Sequence, residues 1–263
     1  MLRILSLGAT CTVAFSLIAG SATAITVGGL TFAEPRSDLN GRALNDVAIN
    51  WWKFAVETPV DSNPSFGAPY EPGPLAGEGT NFLYADQTGL GTLESRVAPG
   101  QSLFLPLRPV VNIATEPTET AADLLAQIEP IVQSTTDLTV TVNGVDFEAV
   151  SGRDLLTFRE TYPGPGDPNV GVQFPDSGSV FGPGFDGFAS DIMVADGQYL
   201  GIISLPRGEH ELVVSASFEG GGGYTVTQNV EVVPLPAPLA LLAGGLVLLV
   251  GLARRGRFRH QTA

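Results

Sequence analysis

Short stretches in which apolar and polar residues alternate are the feature that most restricts the fold of this chain. Leu138, Val140 and Val142 alternate with threonines, and the pair Asn143-Gly144 follows directly. Both residues of that pair tolerate the positive φ angles that a type I′ turn requires. Because Val145 and Phe147 then resume the alternation, the pattern predicts a β-hairpin over 138–147.

Similar stretches predict further strands along the chain. They lie at about 82–85, 93–97, 103–106, 198–205, 211–218 and 224–232. Short turn sequences separate the last three, which predicts that they form an antiparallel meander. No regular strand-helix-strand spacing is present, so we expect a mainly β fold, an antiparallel two-sheet sandwich or jelly roll with one or two helices.

Two segments have helical periodicity. Apolar residues from Leu44 to Ala55 share one helical face, and Pro59 should end this helix at about Thr58. A second helix is predicted over 119–133, where Pro130 should kink or divide it. We expect the helices to cover an edge or an end of the sandwich, and the Pro- and Gly-rich residues 58–78 to form a long surface loop.

The N-terminus has the three parts of a secretion signal. Arg3 supplies the positive charge, residues 4–18 are mostly apolar, and Ala22 and Ala24 form an Ala-x-Ala cleavage site. Signal peptidase prefers small side chains at those two positions. We therefore expect a signal helix within residues 1–24 and cleavage after Ala24.

The C-terminal residues 233–263 combine a proline motif, an apolar helix and a cluster of arginines. The predicted helix, at about 236–253, precedes arginines within 254–259. Counted from Leu235, the apolar run has about 19 residues and a helical length of about 28 Å, close to the hydrocarbon thickness of a bilayer. Because arginines stay on the cytoplasmic side, the preceding domain should lie in the periplasm, anchored to the inner membrane.

This tail resembles a known class of sorting signal. The residues concerned are Val233, Pro234, Leu235, Pro236 and Ala237, followed by the apolar helix and by Arg254 and Arg255. In this order they are similar to the VPLPA variety of the PEP-CTERM signals of Gram-negative bacteria. The resemblance implies recognition by an exosortase, a membrane-embedded processing enzyme, and a final location at the cell surface or outside the cell. A plain tail anchor is the alternative.

Residues 25–232, between the two targeting segments, should form one β-rich domain outside the cytoplasm. Five of the 13 basic residues lie in the terminal segments, which leaves eight basic and 27 acidic residues in the middle of the chain. Such an acidic surface repels nucleic acid, so no nucleic-acid partner is expected. The single cysteine, Cys11, lies in the signal, so we expect neither disulfides nor thiolate chemistry in the domain.

The domain also resembles a loosely defined group of uncharacterised secreted bacterial proteins. The shared sequence elements include Trp51-Trp52-Lys53-Phe54, Asn63-Pro64, 97–106 and 206–210. This resemblance implies a shared fold and carries no activity.

Catalytic motifs are not recognisable in the sequence. His210 is the one histidine of the predicted domain, no Gly-x-Ser-x-Gly elbow accompanies it, and we expect it to be structural or to lie at the surface. The chain should therefore be a non-catalytic binding or structural module of the envelope or extracellular matrix. The alternative is a secreted carbohydrate-active enzyme with paired carboxylates, for which Trp51 and Trp52 would stack on sugar rings of an exopolysaccharide. Packing of both indoles on the sheet is the simpler interpretation.

We expect no cofactor, with calcium as a weaker hypothesis. Asp167, Asp176, Asp186 and Asp191 crowd the loops between Tyr162 and Gly197, where carboxylate oxygens could converge on Ca²⁺. Ordinary Asx turns explain the same residues.

Overall fold

The computed structural model describes residues 24–66, 68–69, 75, 79–83 and 91–233. The predicted signal helix, cleavage residue Ala22, sorting motif beyond Val233 and membrane helix lie outside these residues. Among the residues described, no helix is both long and apolar enough to cross a bilayer.

The chain is mainly β, as predicted. In sequence order the strands and helices are β1 Ile25–Val27, β2 Leu30–Phe32, β3 Asp38–Leu39, β4 Arg42–Ala43, α1 Leu44–Glu57, β5 Thr80–Phe82, β6 Thr92–Val97, β7 Ser102–Ile113, α2 Ala121–Gln133, β8 Thr135–Val142, β9 Val145–Asp146, α3 Phe147–Ser151, β10 Arg159–Tyr162, β11 Val170–Gln173, β12 Ala189–Ser204, β13 Gly208–Phe218 and β14 Gly223–Val232. Short 3₁₀ turns occupy Val60–Ser62, Pro64–Phe66, Leu155–Thr157 and Pro183–Phe185.

The strands form two main sheets that pack face to face. The large sheet has the order β1-β2-β12-β7-β5, and β10 and β11 also pair with β12. The small sheet has the order β6-β14-β13-β8-β9, and β3 with β4 makes a separate ribbon. Two pairings, β5 with β7 and β6 with β14, are parallel. The sheets are therefore mixed, and the prediction of a wholly antiparallel fold was wrong.

The predicted meander of the last three strands was also wrong. Strands β13 and β14 pair as expected, but β12 belongs to the large sheet and the chain crosses between sheets after Ser204. Residues 193–202 of β12 are all buried, so this strand needs cover on both faces. Its edges are taken by β7 on one side and by β2, β10 and β11 on the other, which leaves no edge for β13.

The long strand β7 continues past the end predicted at Pro106. A register shift opposite Gln198 and Tyr199 accommodates Pro106 and Pro109 in this strand. Glycine is needed opposite Pro109, because a Cβ on Gly197 would lie 2.1 Å from the carbonyl oxygen of Arg108. The prolines thus mark a bulge and not the end of the strand.

The helices cover faces of the large sheet, not its edge or end as expected. Side chains of α1 pack with Tyr199, Met193 and Ala195 on one face. Val194 packs with α2, while Leu200 and Ile202 pack with the small sheet. Because side chains alternate along β12, α2 and the small sheet share the opposite face from α1. The architecture is a sandwich with α1 as a third layer.

Two local predictions need correction. Pro130 does not divide α2, which runs unbroken to Gln133 and begins with a capping box between Thr120 and Asp123. Only three helical residues follow Pro130, so little of the helix lies beyond the one backbone hydrogen bond that the proline cannot donate. Asn143 and Gly144 have the positive φ angles of the predicted turn, but the returning strand ends at Asp146, and the buried Phe147 begins α3.

Candidate functional site

A mostly apolar pocket opens beside α1, on the outer face of the large sheet. Its volume is about 240 Å³. We call it the aromatic pocket, and its lining residues are Trp51, Trp52, Ala55, Val56, Asn63, Ser65, Phe66, Val180 and Phe181. They come from the last turns of α1, from the 3₁₀ turns after it and from the loop that precedes β12.

Side chains on one side of α1 form the first wall of the aromatic pocket, and Pro59 ends this helix. Trp51, Trp52, Ala55 and Val56 are one turn apart on α1 and therefore lie on one side of the helix. Thr58 leaves the helix in an extended conformation, immediately before Pro59. The chain must turn there, and it folds back along the helix.

The second wall consists of Ser65 and Phe66, and hydrogen bonds of Asn63 hold this segment against the end of α1. Its side-chain amide donates to the carbonyl oxygen of Ala55 at 2.6 Å, and its Oδ1 accepts from the backbone N–H of Ser65 at 3.0 Å. The first bond satisfies a carbonyl that the helix itself leaves unpaired. Asn63 is fully buried, as are Pro64 and Ser65. This part of the predicted surface loop is therefore a buried element that places Ser65 and Phe66 at the pocket.

A loop rich in phenylalanine forms the third wall. The backbone N–H of Val60 donates to the carbonyl oxygen of Gly178 at 2.9 Å, which ties this loop to the turn after α1. The ring of Phe181 lies 5.7 Å from that of Phe174 and 5.6 Å from that of Phe185. Phe181 is 44% exposed, so it forms the outer rim.

The two tryptophans do not form an open platform. Trp51 is 1% exposed, and its indole N–H donates to the carbonyl oxygen of Leu83 at 2.9 Å. Trp52 is half-buried, meets Trp51 edge to face at 4.8 Å and donates to the Tyr199 hydroxyl at 3.3 Å. Burial raises the pKa of Tyr199 far above its usual range, so this hydroxyl stays protonated. Both indoles pack within the fold and present the pocket with ring surface.

One polar atom of the lining residues makes no hydrogen bond, and this atom is itself buried. The amide of Asn63 and both indole N–H groups already make the hydrogen bonds described above. Ser65 is 3% exposed, and its Oγ has no hydrogen-bond partner among the described residues. The lining residues that the structure describes include no titratable side chain. The arrangement suits binding of an apolar group and offers nothing for proton transfer.

The four aspartates of the calcium hypothesis do not form one group: Asp176 lies beside Gly187, next to Asp186, whereas Asp167 has other partners. Asp167 accepts from the Gly164 backbone at 2.8 Å and from Asn45 at 3.1 Å, and Asp186 accepts from the Ser179 backbone at 2.9 Å. Asp176 lies in the loop before β12, and Asp191 lies on that strand. Within the part of the chain that is described, no three His, Cys, Asp or Glu side chains are grouped to hold a metal ion.

His210 lies in a groove on the small sheet. One ring nitrogen lies 2.9 Å from the Pro206 carbonyl oxygen and the other lies 3.3 Å from the Asn143 amide nitrogen. Both contacts are satisfied by a neutral ring that carries its proton on Nε2. The Asn143 amide also donates to the Gly28 carbonyl oxygen and accepts from the Glu211 backbone N–H. His210 therefore belongs to a hydrogen-bond network that connects the backbone at Gly28, Pro206 and Glu211. This geometry agrees with the structural role expected from the sequence.

Several glutamates line the same groove. Its lining residues are Glu94, Arg96, Asn143, Glu209, His210, Glu211, Asn229, Val230 and Glu231. Glu94 accepts from Asn229 at 2.8 Å, and Glu231 pairs with Arg96 at 3.0 Å. Two of its carboxylates are therefore engaged by neighbours.

Sequence reasoning missed most of the aromatic pocket. It singled out Trp51 and Trp52, but it assigned Asn63, Ser65 and Phe66 to a surface loop and gave Val180 and Phe181 no role. A detectable signal was present: Phe66 follows Asn63-Pro64, and four phenylalanines fall within 174–188. Large aromatic side chains in a Pro- and Gly-rich segment indicate that the segment packs against the core.

Comparison with known proteins assigns no family to the chain. No protein-family model and no curated protein matches the sequence. Among solved structures, the chain is similar to the solution structure of amebosin, with 13% identity over 59% of this chain and 96% of that chain. The TM-score is 0.19, so this similarity carries no argument about fold or function.

Proposed function

We propose that this chain is an exported, C-terminally sorted binding module whose ligand site is the aromatic pocket. The observation that carries the proposal is the composition of the pocket, whose walls are mostly aromatic and aliphatic and whose described lining has no titratable group. Concave, mainly apolar sites with few polar groups are typical of small-molecule binding. In this proposal the domain binds its ligand and does not convert it to a product. We further propose that the fold is a two-sheet sandwich and not a jelly roll.

The predicted processing sites are compatible with the described domain. Strand β1 begins at Ile25, directly after the proposed signal-peptidase site, and β14 ends at Val232, directly before the sorting motif. Cleavage at either site would therefore leave every described strand intact. We infer that the domain is first anchored to the inner membrane with its bulk in the periplasm, and is later released to the cell surface or exterior by an exosortase.

Intact-mass measurement on protein from the native host tests the sorting part of the proposal. The mature chain should begin at Ile25 and end near Val233, because cleavage within the proline motif removes the apolar tail. A strain without the exosortase should yield a chain extending to Ala263. If both strains yield the longer mass, the tail is a permanent anchor and the sorting proposal fails.

Fluorobenzene binding tests the pocket. Fluorine NMR of the full chain in lipid nanodiscs should show saturable binding of the probe, with empty nanodiscs correcting for partition into lipid. Phe181→Ala removes a rim ring and should weaken binding several-fold. Ile131→Ala is the matched control, because Ile131 is similarly exposed at 45% but lies on α2. Equal weakening by both variants, or no saturable binding, contradicts the assignment of the site.

The second candidate is a carbohydrate-active enzyme, favoured by the glutamate-lined groove around His210. Glycoside hydrolysis needs two carboxylates across a cleft, and Glu209 and Glu211 line this groove beside Glu94 and Glu231. A panel of exopolysaccharides separates the candidates. Turnover that is lost in Glu209→Gln or Glu211→Gln, with the fold retained, would establish the enzyme and overturn the binding proposal.

A further inference from the structure

We propose that a second site, a cleft between α2 and strand β10, binds the carboxylate group of a small apolar acid through Arg36 and Arg159. This site is separate from the aromatic pocket, and neither site depends on the other. We call it the arginine cleft. Its polar lining residues are Arg36, Glu129, Arg159, Thr161 and Asp196, and α2 adds an apolar wall. Its volume, about 590 Å³, lies in the range of small-molecule sites.

Arg36 occupies a turn position that disfavours arginine. The backbone N–H of Ser37 donates to the carbonyl oxygen of Glu34 at 3.2 Å, and Pro35 is the second residue of the turn that this bond closes. Arg36, the third residue, has a φ angle of 60°. This combination is that of a type II turn, whose third position normally takes glycine or asparagine. A residue with a Cβ is strained there, so the arginine costs stability at this position.

The Arg36 side chain does not offset that cost within the described fold. The backbone N–H of Arg36 donates to Oε1 of Glu160 at 2.9 Å, but any residue except proline could make this bond. The guanidinium lines the arginine cleft, and no described residue makes a hydrogen bond or an ion pair with it. Where a sequence breaks a local preference without a gain in packing or pairing, a functional role is the expected reason.

The second arginine of the cleft is held in place by a buried carboxylate. Nε of Arg159 donates to Oδ1 of Asp196 at 2.8 Å, and its Nη2 donates to Oδ2. Asp196 is 1% exposed, and it also accepts from the Thr161 hydroxyl at 3.1 Å. The Arg159 side chain itself remains 32% exposed. A guanidinium has five N–H donors, so the bonds to Asp196 fix this group and leave donors for a ligand.

The remaining lining residues indicate a carboxylate on an apolar body. Ala122, Leu125 and Ala126 form the wall on α2, and all three are at least partly exposed. Two guanidiniums match the planar, two-oxygen geometry of a carboxylate, while the wall can contact a short hydrocarbon chain. Only eight basic residues lie within 25–232, against 27 acidic ones, so two arginines at one cleft are a marked concentration of positive charge.

Glu129 limits the ligand to one negative charge. It lies on α2 and accepts from the Gln133 side-chain amide at 2.9 Å. The pKa of the Arg159 guanidinium is raised above its usual value, mainly by the hydrogen bonds to Asp196 and to a smaller extent by the charge of Glu129. The Glu129 charge therefore acts at the cleft. It repels a second negative charge on a ligand, so phosphate monoesters and dicarboxylates are disfavoured.

Two probes of nearly the same shape and different charge test the inference. Fluorine NMR on the full chain in nanodiscs of uncharged lipid compares trifluorobutanoate with trifluorobutanamide, each corrected with empty nanodiscs. Charge-assisted hydrogen bonds should make the carboxylate bind about ten times more tightly than the amide. Added salt should reduce this advantage, because the cleft is open to solvent.

Substitutions assign the advantage to the arginine cleft. Arg36→Gln should bring the ratio of the two affinities close to one, whereas Arg207→Gln, which removes an exposed arginine from the turn before β13, should retain it. Arg36→Gly should also lose the advantage while its melting temperature stays equal or rises, because glycine adopts a positive φ without strain. Glu129→Gln should strengthen carboxylate binding several-fold by removing a like charge.

The outcomes keep this inference separate from the aromatic pocket. Phe181→Ala, which should weaken fluorobenzene binding, should leave trifluorobutanoate binding unchanged. If the carboxylate has no advantage over the amide, or if Arg36→Gln keeps the advantage, the arginine cleft is not a carboxylate site. If Glu129→Gln weakens binding and leucine displaces trifluorobutanoate, the ligand is a zwitterionic amino acid, which overturns the proposed class. None of these results changes the expectation for fluorobenzene in the aromatic pocket.

Discussion

The two faces of the large sheet are filled by different kinds of residue. Between the two sheets, the core consists largely of aliphatic side chains from regular strands, including Leu103, Leu105, Leu200 and Ile202. On the α1 side, the strands of the large sheet pack against α1 and against the loop that precedes β12, and many of the packing residues are aromatic. Alternating strands fill a shared core in regular layers. Irregular elements with large rings leave gaps, and the aromatic pocket lies on this side of the molecule.

Truncation of a core residue should show the largest difference between the faces. Leu200→Ala removes a fully buried side chain between the sheets and should lower the free energy of unfolding by about 2–5 kcal/mol. Phe181→Ala, at the pocket rim, should lower it by about 1 kcal/mol or less, since the ring is already half in solvent. Urea denaturation followed by circular dichroism measures both. Similar losses would mean that the aromatic face contributes to stability as much as the inter-sheet core.

A smaller effect on stability, one that depends on pH, should distinguish the α1 face of the large sheet from the face between the sheets. Glu160 lies on the same side of β10 as Tyr162, which packs in the α1 cluster, and it is 9% exposed. Burial raises its pKa from the ordinary value of 4.5, and this outweighs the opposing effect of the hydrogen bond that Glu160 accepts from the Arg36 backbone. The folded state therefore holds this proton more tightly than the unfolded state, so stability falls as pH rises from about 4.5 through the raised pKa.

Glu160→Gln removes this penalty and keeps an oxygen that can accept from Arg36. We expect a higher melting temperature than that of the unaltered protein at pH 7–8, and no advantage at pH 4, where Glu160 is protonated in both states. Glu209→Gln, on the exposed end of β13, is the matched control. A melting temperature that Glu160→Gln leaves unchanged or lowers at pH 7–8 would show that Glu160 is well solvated or well paired.

The smallest effect is expected from calcium, which concerns the loops on the α1 side. If the calcium hypothesis holds, binding to the folded state raises the melting temperature with Ca²⁺ concentration. The separate surroundings of Asp167 and Asp186 offer little support for a shared site, so the expected shift is small. Identical melting curves in excess Ca²⁺ and in chelator would eliminate the hypothesis. A shift that Asp167→Asn abolishes and Asp191→Asn does not would narrow the site to the Gly164 turn.

Elements with strong local signals were predicted well from the sequence. The apolar stripe from Leu44 and the stop at Pro59 predicted α1 to within a residue, and alternation predicted β13 and β14. The turn at Asn143-Gly144 followed from two residues that tolerate positive φ. Each of these signals lies within one segment, where side-chain periodicity and backbone preference act together.

Features that depend on contacts between distant segments could not be predicted in this way. The sequence alone predicted a strand at about 198–205, the second half of β12, but only the tertiary structure decided that this strand pairs within the large sheet and not with β13. The parallel pairings of β5 and β6 were decided in the same way. The pocket combines α1, the Ser65 turn and Phe181, which are more than 100 residues apart at the extremes. Whether the Ser65 hydroxyl finds a partner depends on every atom packed around it, and that packing is fixed by the assembled fold and not by neighbours in sequence.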